Sequence, residues 1–312
     1  MTFSSEEKEI LYYVEISSAI PSFLGTSFIC LAYIYFKELR GFTFRLVVYL
    51  AIADMFTALS FAVPHYLSQE LCLIQALVLN YSSLASVLWT SVIAFTLYRG
   101  VVNEEMELEG SEINCIFFAW GIPLLLEFLP FITESYGYAE GWCWIKIQNL
   151  ESDINFQSAT YRYGMIWRMV TYYIPLWIVI IYNCLVYWKV TNRVMETMDD
   201  VSSDNRTRHL ILNRLRLYPF ILVFCQVPVT IHRIYAFFDY NELAMFILAI
   251  CAGFFLLING FLNAFVYGFT DSVKQSIRKR LYPEEFVQIR NANTLFGSVE
   301  SQSALFLGST LM

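Results

Sequence analysis

Within the long apolar stretches of this sequence stand a few side chains able to hold charge or pass protons. Asp54 closes the run Leu50-Ala51-Ile52-Ala53. A carboxylate at the centre of a bilayer costs roughly 2.5–3.5 kcal/mol on insertion scales, so it is a functional candidate by default. Asn259 and Asn263, four residues apart, share one helix face, and Tyr267 continues it. These four could form one polar network, joined through water or a cation. The alternative is a static set of interhelical bonds worth roughly 0.6 kcal/mol each. Arg168, His232 and Arg233 make a second group. Paired arginines in a low-dielectric pocket attract an anion, unless they are neutralised by Glu127, Asp239 or Glu242. His65, His209 and His232 are scattered, with no carboxylate cluster or Ser/His arrangement. No catalytic centre, metal site or cofactor is predicted.

These residues need a scaffold, and the hydropathy supplies one. Of 312 residues 57% are hydrophobic and 15% charged, against roughly 25% charged in soluble domains. Seven apolar runs are long enough to cross ~30 Å of hydrocarbon: Tyr12–Phe36, Leu46–Tyr66, Cys72–Tyr98, Ile113–Ile132, Met165–Val190, Arg216–Phe238 and Leu243–Phe269. The third is moderately polar, with Asn80, Ser82 and Ser83, and is expected to be buried among the others. Pro64, Pro123, Pro130, Pro175 and Pro228 lie in or near the runs, where neighbouring helices can satisfy the carbonyls they free. Aromatics at 18% suit lipid-facing helices and interfacial belts. A pI near 5.1 and the lack of a broad basic surface argue against nucleic acid as a partner.

Fifteen of the 20 Lys and Arg residues fall in the first, third and fifth connections and the tail, leaving Lys8, Lys146, Arg162, Arg168 and Arg233 on the other side. The positive-inside rule then places the C-terminus in the cytoplasm and, with an odd number of spans, the N-terminus outside. Acids in the third connection (Glu104, Glu105, Glu107, Glu109, Glu112) do not overturn this, because acids count little toward the rule. Only Cys72 and Cys143 then face an oxidising compartment, and a disulfide between them is expected. No cleaved signal peptide and no glycosylation are expected. The organisation is an extracellular N-terminus over residues 1–11, a seven-transmembrane domain over 12–269, an amphipathic juxtamembrane helix over 270–282 and a cytoplasmic tail over 283–312.

Several stretches carry a family resemblance. They are Phe36-Lys37-Glu38-Leu39-Arg40, Phe44-Arg45-Leu46 through Asp54, Leu84-Ala85-Ser86-Val87-Leu88-Trp89-Thr90, Ile93 to Arg99, Trp142-Cys143-Trp144, Pro175-Leu176-Trp177, Thr230 to Ile234, and Gly260 to Phe269. In order and spacing the chain resembles the cyclic-AMP-receptor-like G-protein-coupled receptors, the slime-mould receptors and their plant-type relatives, from about Leu31 to Lys279. The resemblance implies an all-α seven-transmembrane helix bundle with a short eighth helix at the plasma membrane. It also implies an extracellular small ligand, cyclic AMP among the candidates, and a heterotrimeric G protein engaged through its α subunit.

The resemblance further implies that Asp54, Asn259, Asn263 and Tyr267 act as a switch. Arg99, Arg193, Arg214 and Arg216 would face the G protein, or snorkel and bind anionic lipid. The acidic-Arg-aromatic triplet of rhodopsin-like receptors is absent at Arg99, and His232 stands where the family pattern has Asn. The outer loops carry Glu134, Glu140, Glu151 and Asp153, which repel an anion. A retinal pump needs a Lys in the last span, and Leu243–Phe269 has none. A small-solute transporter is the remaining alternative, although the internal repeats common among transporters are missing.

Overall fold

The computed structural model describes residues 3–63, 68–105, 109–139, 141–146, 159–200, 220–235, 241–268 and 271–281. Helix α1 spans Ser5–Tyr35, α2 Phe42–Ser60 and α3 Gln69–Val101. Helix α4 joins Glu112–Ile116 to Ile122–Ile132, and α5 joins Ala159–Arg168 to Ile174–Asp200. Helix α6 is described over Phe220–Tyr235, α7 over Glu242–Asn263 and α8 over Asp271–Leu281. Six of these are long and apolar enough to cross a membrane, and α6 is a shorter apolar helix. These are the seven spans legible in the hydropathy. The last helix belongs to a separate unit beginning at Phe269.

Local sequence explains the starts and irregularities. Ser4 caps α1 in a reciprocal box with Glu7, and Ser68 caps α3 by accepting from the Leu71 amide. Two wide π turns, Phe117–Gly121 and Met169–Tyr173, each end two residues before a proline, Pro123 and Pro175. Proline lacks the N–H and its ring crowds the carbonyl four residues back, so the helix widens just ahead of it. A third π turn, Ala264–Gly268, ends α7 without a proline.

Helix α3 is the hub. It packs against α2, α5 and α4, and buries Asn80, Ser82, Ser83, Ser86, Thr90 and Ser91. Its polarity is therefore turned inward, while Leu125, Ile178 and Leu243 on other helices point outward. Small residues let α7 approach α1 closely. A Cβ on Gly260 would collide with Ser22, and one on Gly268 would collide with Ile29.

The connection after α4 holds a feature the hydropathy does not reveal, a two-stranded antiparallel hairpin of β1, Tyr136–Ala139, and β2, Trp142–Ile145. Ala139 pairs with Trp142 across a two-residue turn whose Gly141 has φ 133°, a backbone that favours glycine. Every residue of β2 is buried. The Cys72–Cys143 disulfide ties β2 to α3, with Cα atoms 5.3 Å apart. Gln75 Oε1 also accepts from the Cys143 amide at 2.9 Å.

Candidate functional site

Three polar layers lie along the bundle, from the hairpin end to the opposite end that carries Arg45, Arg99 and Arg193. The uppermost is an aromatic chamber roofed by the hairpin. Arg233 of α6 is 7% exposed, donates from Nη1 to the Ala139 carbonyl at 3.2 Å, and lies 4.6 Å from the Trp142 ring and 5.3 Å from the Trp144 ring. Arg168 of α5 donates from Nε to the Ile145 carbonyl at 2.7 Å and stands 5.4 Å from Trp144. His232, fully buried, faces Trp142 with ring centres 6.0 Å apart. All three ligand candidates thus converge on the hairpin. Trp142, Trp144, Tyr172, Tyr173, Ser83 and Arg233 help line a cavity of about 20 Å³, room for about one water.

Of the neutralising partners expected for the arginines, Glu127 is engaged elsewhere. Glu127 turns to α3, where it accepts from Asn80 Nδ2 at 2.8 Å, and Asp239 lies outside the described residues. Among their contacts, the two guanidiniums rest on carbonyls and on indole faces, whose quadrupoles attract cations. A carboxylate that sequence reasoning passed over, Glu15 of α1, is 1% exposed and feels the charge of Arg233. It was detectable by the rule that singled out Asp54, since it too interrupts an apolar helix.

The second layer is centred on Asp54. Its Oδ1 accepts from Ser86 Oγ at 2.5 Å and its Oδ2 from Asn263 Nδ2 at 2.9 Å. One carboxylate therefore links α2, α3 and α7. The approach depends on Gly260, whose absent Cβ would stand 3.0 Å from the Asp54 Cβ. Of the expected partners, Asn263 joins directly. Asn259 is buried, but its Oδ1 has no hydrogen-bond partner among the described residues. The Tyr267 side chain lies outside them. Ser86 was missed, because a serine in a serine-rich helix gives no signal of which neighbour it meets.

The third layer is ionic. Arg45 forks onto Glu112 at 2.7 and 3.1 Å, and Arg193 meets Glu104 at 2.7 Å. Arg99 donates from Nε to Glu105 at 2.6 Å and from Nη1 to Ser111 at 3.1 Å. The Arg99 guanidinium, aided by the Asn103 amide, holds the Glu105 carboxyl below the usual glutamate range. Glu104, Glu105, Glu109 and Glu112 of the third connection thus serve as partners for the basic residues around them, while Glu107 lies outside the described residues. Arg214 and Arg216 lie outside the described residues.

Three polar layers thus lie along a bundle of apolar helices, and comparison with known proteins says which family it belongs to. The chain is 31% identical over 283 residues to G-protein coupled receptor 1 of Arabidopsis thaliana, covering 88% of this chain and 82% of that one. It is 28% identical over 277 residues to cyclic AMP receptor-like protein A of Dictyostelium discoideum, covering 86% and 67%. With G-protein coupled receptor 157 of Rattus norvegicus it shares 25% over 172 residues, covering 51% and 50%. The family described as slime mold cyclic AMP receptor matches residues 2–291. With that match spanning all seven helices, the chain belongs to the slime mold cyclic AMP receptor family, a family of seven-transmembrane receptors rather than enzymes.

Proposed function

We propose that this protein is a G-protein-coupled receptor of the plasma membrane, with the hairpin end outside and the basic end in the cytoplasm. Ligand in the aromatic chamber shifts a population between two helix packings, and the change opens a cleft at the basic end for the α subunit of a heterotrimeric G protein. The receptor does no chemistry itself; it promotes nucleotide exchange on its partner. The observation that carries this reading is the Asp54 junction, whose bonds to Ser86 and Asn263 tie three helices midway between chamber and basic end.

Two buried arginines over two indoles favour a planar, anionic ligand, because cations and ring faces are both presented to it. Cyclic AMP, named in several relatives, has that chemistry and is the first probe. A 20 Å³ cavity is far smaller than any nucleotide. Binding therefore requires Arg233 and Arg168 to be drawn away from the hairpin, which the disulfide holds on α3, and this movement is what the ligand's binding energy drives. At the other end, Arg99 and Arg193 leave Glu105 and Glu104 to meet the G protein, and Arg214 and Arg216, outside the described residues, are proposed to face it as well.

The reading is tested by reconstituting the purified protein in proteoliposomes and measuring GTPγS exchange on added Gα and, in parallel, solute flux. Ligand-dependent exchange without flux supports the receptor. Flux without exchange overturns it in favour of a small-solute transporter.

A further inference from the structure

Helix α3 carries a ladder of hydroxyls along one face, Ser82, Ser86 and Thr90 at four-residue spacing. Ser82 Oγ lies 2.8 Å from Thr57 Oγ1 of α2, and Ser86 Oγ donates to Asp54 of the same helix at 2.5 Å. The third rung turns to a different helix: Thr90 Oγ1 accepts from Asn183 Nδ2 of α5 at 3.1 Å. Thr90 and Asn183 are 3% and 2% exposed, so the bond is shielded from bulk water.

The orientation of Asn183 follows from its partner. The Thr90 hydroxyl gives its one proton to the Val87 carbonyl at 2.7 Å, so it accepts from the amide, and Asn183 Oδ1 points elsewhere. That oxygen is buried with no hydrogen-bond partner among the described residues. A buried acceptor left unmet carries a desolvation cost. The resting contact is therefore shallow, held by one bond and opposed by one unmet group, and a repacked α5 that brings Oδ1 a donor relieves the cost. Toward the basic end the two helices continue through an apolar cluster that includes Ala94 and Leu97 of α3 and Val186 and Val190 of α5. Such contacts are non-directional and let one helix shift along the other. Ten residues past Asn183, about 15 Å at 1.5 Å per residue, α5 carries Arg193, bonded to Glu104. No proline falls between them, so α5 acts there as a rod.

We propose that Asn183 is a positioning residue that couples the Asp54 junction to the basic end through α5. Its part in signalling rests on the receptor reading above, whereas the mechanical coupling does not. Asp54 holds α3 through Ser86 and holds α7 through Asn263. A rearrangement at Asp54 shifts Thr90 one turn further along α3, parts it from Asn183, and frees α5 to draw Arg193 away from Glu104. The ladder thus changes partner helix just below the junction, and Asn183 is where the change of packing passes from α2 and α3 to α5.

Amide hydrogen exchange of the full chain in phosphatidylcholine nanodiscs, read by mass spectrometry over residues 190–196, tests the coupling. Thr90→Val and Asn183→Leu should each speed exchange there about threefold, the average worth of one interhelical bond. Thr90→Ser keeps the hydroxyl and should leave it unchanged. Asn263→Ala should speed the same amides in the wild-type and Thr90→Ser backgrounds but add nothing to Thr90→Val, because both breaks lie on one path. A merely structural Asn183 gives additive effects. Additivity, no response of these amides to Asn263→Ala, or equal effects of Thr90→Val and Thr90→Ser would each overturn the proposal. Basal GTPγS exchange on added Gα should follow the same pattern in the same variants. If no variant and no wild-type protein promotes nucleotide exchange while the hydrogen-exchange coupling holds, the receptor reading falls and the coupling through Asn183 stands.

Discussion

Replacing Asn263 with alanine isolates the bond on which the proposed switch turns. The substitution removes the 2.9 Å donation from Nδ2 to Asp54 Oδ2 and leaves the Ser86 donation to Oδ1 in place. Interhelical hydrogen bonds in membrane proteins average about 0.6 kcal/mol, with a maximum near 1.7. The Asp54 bond belongs at the upper end, because its acceptor is a carboxylate and the pair is buried. If the bond forms in the resting packing and breaks in the active one, its loss multiplies the active-to-resting ratio by roughly three- to twentyfold. A receptor that is ~1% active at rest would become about 3–15% active. Basal GTPγS exchange, normalised to surface-exposed protein and measured without ligand, reads this ratio directly. A cycle with Ser86→Ala tests whether the two donors act as a unit, since additive effects would mean they do not. Unchanged basal exchange, unchanged ligand response and normal surface amounts in Asn263→Ala would refute the switch and leave the pair as static glue.

The remaining expectations concern the scaffold around that junction. Gly260→Ala drives a methyl into Ser22 beside Asp54 and should destabilise by about 1–3 kcal/mol, seen as a lower unfolding temperature. Cys72→Ser opens a disulfide that spans 71 residues; in the chain-entropy picture the loss is roughly 4 kcal/mol, read as thermal instability and lost surface expression. Glu105→Gln weakens the hold on Arg99 and should raise basal exchange, by less than Asn263→Ala because the pair is partly exposed. The depressed Glu105 pKa means that its contribution is complete above the ordinary glutamate value of about 4.3 and vanishes as pH falls through the lowered one. Basal exchange should therefore not change through this pair between about pH 6 and pH 8.

What could be read in the chain, and what could not, divides along a physical line. Spans, the disulfide and the candidacy of Asp54 were legible because each follows from a large single cost: hydrocarbon thickness, an oxidising compartment, or a carboxylate out of water. The hairpin escaped because β1 and β2 hold four residues each, too few for a periodicity to register. The contacts of Arg168 and Arg233 with indoles and carbonyls escaped for a related reason. Sequence gives the sign of a charge but not which of several acceptors the backbone brings near. The hairpin then decides the issue, since the disulfide and Gln75 fix its strand on α3. That placement puts Trp142 against Arg233, sets Trp144 between Arg168 and Arg233, and offers the Ala139 and Ile145 carbonyls to the two guanidiniums. Replacing Trp144 with phenylalanine separates these roles. The ring face remains for the arginines, the bond to Asn80 Oδ1 is lost, and the expected outcome is a stability loss of about 1 kcal/mol with ligand selectivity retained. If selectivity fails while stability holds, the indole acts on the ligand through its N–H, and the chamber is not held together in the way described.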